Sequence, residues 1–234
     1  MVFSKEYNQG SWQWETVLAS LRNKSCALVS SSAELLNGAP LGAKIDSHDI
    51  VVRVNFPPKA RYAERVGSRT DTVISGYAIL IDIPGTTRWA QSQGYSPHEY
   101  EGSNVNSIIA DVICADDHEK PAKYTSHVHN QASCLKMSAK ALVACKNITG
   151  SRCNMLPVPL SNSAWKLATA LSLDDAAIST GWGAYHFLTK SCGCVQVYGF
   201  STSADGHYWD STHRAADWHD MPKEHDALVS TCGL

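Results

Sequence analysis

The chain has 234 residues and a formal net charge of −2, and a chain of this length can bury one hydrophobic core as a single domain. Its basic residues are scattered and its charge is close to neutral, so we expect no nucleic-acid partner held by bulk electrostatics. Since no run of about 18 or more apolar residues occurs, the sequence predicts no transmembrane segment, signal anchor or transit peptide in this chain.

The first 25 residues predict a helix that leads into the first strand. Val17, Leu18 and Leu21 lie on one face at helical spacing, which is typical of a short amphipathic helix. An apolar strand then spans residues 26–29, and the small side chains of residues 30–33 would let a phosphate or a ribose approach the main chain.

A second apolar strand, residues 50–55, is rich in β-branched residues and ends on the amide Asn55 before two prolines. An apolar strand with a polar tip is typical of the ligand-binding edge of an open α/β sheet. Ordinary α/β core strands fit the same pattern, so these two strands alone do not predict a nucleotide site.

The remaining chain alternates strands and helices. Residues 94–106 are polar and predict a surface loop, and residues 155–159 are extended by their prolines. We predict strands at 72–75, 107–113 and 194–200, and helices at 86–93, 131–146, 163–173 and 181–190. This alternation predicts an α/β sandwich with a largely parallel sheet.

Eight cysteines and two N-x-S/T sequons are compatible with a secretory route. The sequons begin at Asn23 and Asn147. Eight cysteines allow roughly 100 pairings, and sequence spacing does not choose among them.

The helix predicted at 181–190 would begin next to Ser179, Thr180 and Gly181. Thr180 is a suitable N-cap, so the unpaired backbone N–H groups of the first turn would point outward and could bind an anion. An ordinary capped helix fits the same residues.

Three histidines, His207, His213 and His219, are spaced six residues apart. Six residues rotate a side chain by about 240° on a helix and separate side chains by roughly 20 Å on a strand, so no regular element would bring all three together. A zinc site would therefore require an irregular loop, and we predict no metal site.

Four segments in order resemble one family. Residues 26–76, with Ile45–Asp49, Arg53–Asn55 and Val66–Thr70, resemble sialyl motif L of the eukaryotic-type sialyltransferases, which use CMP-sialic acid. The other three segments resemble motif S (178–200), motif III (His207, Tyr208, Trp209 and Asp210) and motif VS, an HxxxxE pattern from His219 to Glu224.

This resemblance implies the sialyltransferase variant of the GT-A-like fold, a Rossmann-like, largely parallel sheet between helices. It implies a lead-in segment at 1–25, a single catalytic domain at 26–234 and a Cys26–Cys192 disulfide. Animal and algal members are usually Golgi proteins with one N-terminal anchor. A chain without an anchor suggests a truncated gene product, a fragment or an anchor supplied elsewhere, and we expect the Golgi lumen by resemblance.

The resemblance also implies roles for site residues. His219 would be the general base toward the acceptor hydroxyl, and His207 would touch the departing phosphate. Two positions depart from the usual pattern, since Ser31 is often asparagine and Ser201 often glycine in relatives. Glu224 would orient its loop or be surface charge. The implied donor-binding residues are Ser31, Asn55, Ser179, Thr180, Gly181 and Ser201.

The predicted function is transfer of sialic acid, or a related acidic sugar, from a CMP-activated donor to a hydroxyl of a glycoprotein or glycolipid glycan, with inversion. No cofactor is expected, because the chain has no DxD motif and a monophosphate leaving group needs less help from a metal. Two alternatives stay open: a catalytically silent CMP-sugar or glycan-binding protein of the same fold, and a metal-dependent hydrolase built on the histidines.

Overall fold

The computed structural model describes residues 11–76, 79, 93–100, 107–111, 140, 143, 153–155, 178–201, 205–214 and 219–233. Over these residues the main sheet has six parallel strands in the order β5-β4-β3-β2-β1-β6. The strands are β1 (Ser25–Val29), β2 (Ile50–Val54), β3 (Thr72–Gly76), β4 (Ser107–Asp111), β5 (Cys153–Met155) and β6 (Cys194–Tyr198).

An antiparallel hairpin and several helices complete the described part of the chain. The hairpin consists of β7 (Asp205–His207) and β8 (Asp210–Arg214). The helices are α1 (Ser11–Leu21), α2 (Gly42–Asp46), α3 (Ala63–Val66), α4 (Thr180–Ser191) and α5 (Met221–Asp226), and 3₁₀ turns occur at Ala33–Leu36, Ala60–Tyr62 and Pro97–Tyr100.

Helices cover both faces of the sheet, which confirms the predicted α/β class. Alternate residues of each strand point to opposite faces, so Cys26 and Leu28 pack with α1 and α4 while Ala27 and Val29 pack with α2 and α3. Leu21 of α1 is only 2% exposed, and Val17 and Leu18 pack against the same cluster. The predicted amphipathic helix is therefore confirmed.

Much of the motif L resemblance rests on residues that hold the fold together. Arg53 is fully buried on β2, and its guanidinium donates to the carbonyls of Val66, Gly67 and Arg69, each at 2.9 Å. Its Nε donates to Thr70 Oγ1 at 2.8 Å. Since a buried cation must be compensated by hydrogen bonds, Arg53 fixes the turn that enters β3.

A second network joins the same turn to the loop before β2. The Asp46 carboxylate accepts hydrogen bonds from the backbone N–H and hydroxyl of Ser68, both at 2.9 Å. The Arg69 guanidinium donates to the carbonyls of Asp46, His48 and Asp49. These contacts fix the loop before β2 against the turn that enters β3.

Two disulfides occur among the described residues. Cys26 is bonded to Cys192, the pair that the resemblance implies, and Cys194 is bonded to Cys232. The second bond ties the C-terminal segment to β6, the edge strand of the described sheet. Thr231 N–H donates to the Val195 carbonyl at 2.7 Å, so this segment covers an edge that would otherwise expose unpaired backbone groups.

The structure differs from the prediction in the loop predicted at 94–106. Its described part, 94–100, includes the turn Pro97–Tyr100, and Tyr100 is fully buried with its hydroxyl donating to the Pro57 carbonyl at 2.6 Å. The helices predicted at 86–93, 131–146 and 163–173 and the extended residues 155–159 fall almost entirely outside the described residues. Within the described ranges, no helix is both long enough and apolar enough to cross a bilayer.

Candidate active site

The loops that follow four neighbouring strands meet at the carboxyl edge of the sheet. After β1, Ser30 N–H donates to the Tyr198 carbonyl at 2.9 Å, and Ser32 N–H donates to the Gly199 carbonyl at 3.1 Å. The loop that contains Ser31 is therefore fixed to the loop that follows β6. This edge is where open parallel sheets bind ligands.

Asn55 sits at the tip of β2 in the left-handed backbone region, with a φ of 63°. Asparagine tolerates this conformation better than most residues. Its Oδ1 accepts a hydrogen bond from Gly76 N–H at 3.1 Å, which joins the tips of β2 and β3. The Asn55 side chain is thus held at the edge of the sheet.

Gly76 lies between Asn55 and the start of α4. A Cβ placed on Gly76 would lie 2.9 Å from Thr180 Oγ1 and 3.9 Å from Asn55 Oδ1. The glycine therefore permits the close approach of two residues that the resemblance assigns to donor binding. The structure brings Asn55 and Thr180 together although they lie 125 residues apart in the sequence.

The N-cap of α4 is Ser179, one residue before the predicted Thr180. The Ser179 hydroxyl accepts a hydrogen bond from Trp182 N–H at 3.1 Å, which is the usual N-cap contact. Gly181 follows in the first turn, and a Cβ there would lie 2.8 Å from the Phe200 ring. The first turn of α4 therefore packs directly beneath the loop that follows β6.

Glu224 is not surface charge, because it is only 1% exposed. Its carboxylate accepts hydrogen bonds from both the backbone N–H and the hydroxyl of Ser179. Burial raises the pKa of Glu224 to about 7, although the two hydrogen bonds from Ser179 oppose this shift. Motif VS is thereby joined to the start of α4.

His207 ends β7 beside the loop that follows β1. A β-bridge pairs His207 with Ser32, and Tyr208 N–H donates to the Ser31 carbonyl at 2.8 Å. The Tyr208 side chain is buried, and its hydroxyl donates to the Pro58 carbonyl at 2.7 Å. These contacts hold the hairpin against the loops that carry Ser31 and Asn55.

The His207 ring is held between two other rings. Trp209 stacks on it at a centroid distance of 4.3 Å, and His213 stacks on it at 3.7 Å. Nε2 of His207 is buried and has no hydrogen-bond partner among the described residues. Desolvation, with a smaller contribution from the His213 charge, lowers the pKa of His207 to about 3, so the ring is neutral at physiological pH.

A hairpin brings His207 and His213 together, which neither a single helix nor a single strand could do. The hairpin reverses the chain between His207 and His213, so residues six apart become neighbours across two strands. The imidazole rings of His207 and His213 stack face to face. Among the described residues no group of three histidine, cysteine, aspartate or glutamate side chains is arranged to hold a metal ion.

Tyr95 is a site residue that the sequence analysis missed. Its hydroxyl hydrogen-bonds the Asn55 side chain, and burial raises the pKa of that hydroxyl to about 12. Its ring lies 6.0 Å from His207 and 5.6 Å from Trp209. Tyr95 thus links Asn55 to the hairpin. The sequence offers one signal for Tyr95, which is an aromatic residue within the polar stretch 94–106 that we predicted to be a surface loop.

His219 lies two residues before α5 and is half-buried. The next residue, Asp220, caps α5 by accepting a hydrogen bond from Lys223 N–H at 3.3 Å. On the same helix, the His225 ring bonds the Ser201 carbonyl and packs against Phe200. His219 is therefore joined to the site through α5, which contacts both the start of α4 and the loop that follows β6.

The sequence profile of Glycosyltransferase family 29 (sialyltransferase) matches residues 3–230. β-Galactoside α-2,6-sialyltransferase 2 of Xenopus tropicalis is 46% identical over 56 residues, which are 24% of this chain and 11% of that protein. Sialyltransferase-like protein 1 of Oryza sativa subsp. indica is 28% identical over 219 residues, which are 87% of this chain and 51% of that protein.

A crystal structure of a mammalian sialyltransferase in complex with Gal-β-1-3GalNAc-ortho-nitrophenol superposes with a TM-score of 0.49 at 18% identity, over 95% of this chain and 76% of that one. The chain spans about half or less of the length of these curated relatives. The profile match nevertheless extends over almost the whole chain, and the chain therefore belongs to glycosyltransferase family 29, the sialyltransferases.

Proposed function

We propose that this protein transfers sialic acid, or a related acidic sugar, from a CMP-activated donor to a glycan hydroxyl, with inversion and without a metal ion. The observation that carries the proposal is the meeting of Asn55, Thr180 and the His207 hairpin at the carboxyl edge of the sheet, in a chain of family 29.

The donor would lie across the tips of β1, β2 and β3 and the first turn of α4. Asn55 offers a polar side chain at a fixed position, and the first turn offers the backbone N–H groups of Thr180 and Gly181, where an anion is favoured by the helix dipole. Ser31 and Ser201 belong to the two loops that are hydrogen-bonded to the hairpin and to α5, respectively. These groups would hold the nucleotide and its phosphate.

His207 would assist the departure of the phosphate. A neutral imidazole can donate one N–H hydrogen bond, and its buried Nε2 has no partner among the described residues. As the bond to the sugar breaks, negative charge grows on the phosphate oxygens, so a hydrogen bond fixed in advance becomes stronger in the transition state.

His219 would remove the proton from the acceptor hydroxyl as this attacks the anomeric carbon. The ordinary pKa of histidine suits a general base near neutral pH. Direct attack from the face opposite the phosphate would invert the anomeric configuration. The buried Glu224 would hold the start of α5, and with it His219, against α4.

We place the proposed enzyme in the Golgi lumen. The two described disulfides are compatible with an oxidising compartment. Members of a sialyltransferase family would there meet glycoprotein and glycolipid glycans, which are the acceptors we propose.

Donor profiling tests the proposal. The purified chain is incubated with CMP-sialic acid or CMP-ketodeoxyoctonate and a panel of glycan acceptors, with and without EDTA, and both CMP release and glycan mass are measured. We expect a glycan that gains one acidic sugar at a rate insensitive to EDTA. CMP binding without transfer to any acceptor would favour a silent binding protein, and loss of transfer in EDTA would contradict the metal-free mechanism.

A further inference from the structure

The described structure contains a stack of three rings, His213 on His207 on Trp209, that no motif predicts. The His213 and His207 rings are 3.7 Å apart at 15°, and the His207 and Trp209 rings are 4.3 Å apart at 23°. The hairpin turn is held by Asp210, whose carboxylate accepts hydrogen bonds from the N–H and the hydroxyl of Thr212. This turn places His213 directly over the face of His207.

Stacking of this kind fixes the ring plane of His207 and leaves its buried Nε2 without a hydrogen-bond partner among the described residues. A stacked neighbour prevents rotation of the ring about its side-chain bonds, so Nε2 keeps one direction. The groups that face His207 are the rings of Tyr95, Trp209 and His213, together with the nearby charge of Asp210.

The second imidazole also opposes protonation of His207. Two cations in face-to-face contact in a poorly solvated site repel strongly, so protonation of one ring opposes protonation of the other. Desolvation is the main cause that lowers the pKa of His207, His213 adds to this effect, and Asp210 opposes it.

We propose that His213 is a positioning residue for the transfer reaction, which orients the His207 ring and opposes its protonation while the site waits for donor. This inference rests on the proposed function. A charged His207 would bind the phosphate of CMP tightly before and after the reaction, and such uniform binding does not accelerate the chemical step. A neutral N–H donor with a fixed direction stabilises the transition state, because its hydrogen bond strengthens as charge develops on the phosphate.

Two substitutions separate the effect of His213 on the orientation of the His207 ring from its effect on the charge of that ring. His213→Phe keeps a stacked ring without a titratable group, whereas His213→Ala removes both. His98→Ala, at an exposed histidine on the turn Pro97–Tyr100, is the matched control. For each variant, NMR titration of the His207 ring in the free protein, extended on the acid side to about pH 3, is combined with CMP affinity over the same range and with kcat from pH 5 to pH 8.

In His213→Phe we expect the pKa of His207 to rise, the increase in CMP affinity on acidification to begin at a higher pH, and kcat to stay within about threefold. In His213→Ala we expect the same rise in pKa and a loss of about tenfold in kcat, because the ring is no longer held. His98→Ala should match the unsubstituted protein in all three measurements.

An unchanged His207 titration in both His213 variants, with the same pH dependence of CMP binding, would overturn the inference. The titration and CMP affinity require no turnover. A protein that never transfers sugar would therefore refute the proposed function while these two measurements still decided whether His213 controls His207.

Discussion

Glu224 accepts two hydrogen bonds from one residue, Ser179, through the backbone N–H and the hydroxyl. Ser179 is the N-cap of α4 and Glu224 lies on α5. This contact joins the segment that begins with His219 to the helix whose first turn faces Asn55. It also places a carboxyl group in a site that is 1% exposed, so its protonation is coupled to folding.

Because of the buried Glu224, the free energy of unfolding should depend on pH. The pKa of Glu224 is about 7 in the folded protein, above its ordinary value of 4.5, so the folded state binds more protons than the unfolded state between these values. Its contribution to stability is full below about pH 4.5 and is lost as the pH rises through about 7. From pH 5 to pH 7.5 the free energy of unfolding should fall by up to about 3 kcal/mol through this group.

Glu224→Gln removes the titration while keeping the size of the side chain. Urea unfolding of both proteins at pH 5 and pH 7.5 measures the difference, and the fall assigned to Glu224 should be absent in the variant. If the two proteins lose the same free energy over this interval, the buried carboxyl does not titrate as described. Other groups contribute equally to both proteins, so the comparison isolates Glu224.

Asn55→Gly should weaken donor binding. Glycine adopts the positive φ of this position without strain, so the substitution removes the side chain and its hydrogen bonds to Gly76 and Tyr95 while keeping the backbone. Loss of about 1.4 kcal/mol of interaction corresponds to about tenfold in affinity, measurable by calorimetry with CMP.

The chain offers a matched control for Asn55→Gly. Asn23, in the turn between α1 and β1, has a φ of 61°. Asn23→Gly should leave CMP affinity unchanged. Equal losses of affinity in the two variants would mean that backbone conformation, and not the Asn55 side chain, explains the effect.

Gly76→Ala should reduce donor affinity by displacing Thr180. Its Cβ would lie 2.9 Å from Thr180 Oγ1, which is closer than an unstrained contact allows, and Gly76 is not at a positive φ. Thr180 Oγ1 must then move, and loss of one hydrogen bond to the donor corresponds to about tenfold in affinity. CMP calorimetry and a thermal melt together measure affinity and stability.

Gly193→Ala is the control for steric cost alone, because its Cβ would lie 2.9 Å from the backbone of Asn23, between α1 and β1. It should lower the melting temperature without changing the affinity of the folded protein for CMP. A normal affinity in Gly76→Ala would show that Thr180 does not contribute to the donor site.

The disulfides should differ in their contribution to stability. Cys26–Cys192 closes a separation of 166 residues and Cys194–Cys232 one of 38, and chain entropy predicts about 5 and about 4 kcal/mol, respectively. Paired replacement of each disulfide by alanines, followed by urea unfolding, measures both. A larger loss from Cys194–Cys232 would show that attachment of the C-terminal segment to β6 matters more than loop length.

The parallel sheet and α1 could be predicted from sequence because apolar periodicity is local. The burial of Glu224 could not be predicted, since it depends on contact with Ser179, which lies 45 residues away in the sequence. The contact between His207 and His213 was missed because the two residues of a hairpin turn decide it. Tyr95 was missed because a partly buried aromatic side chain lies in a polar loop. Arg53 and Arg69 belong to the resemblance, yet only the structure distinguishes their role in the fold from a role in the site.

The most direct measurement of the central claim is the rate of CMP release from CMP-sialic acid, with saturating glycan acceptor, in the unsubstituted protein and in His219→Ala. We predict acceptor-dependent release that falls about 10²-fold to 10⁴-fold in the variant, with CMP affinity within about threefold of the unsubstituted protein. Equal release by the two proteins, or no release from a protein that binds CMP, would contradict the account.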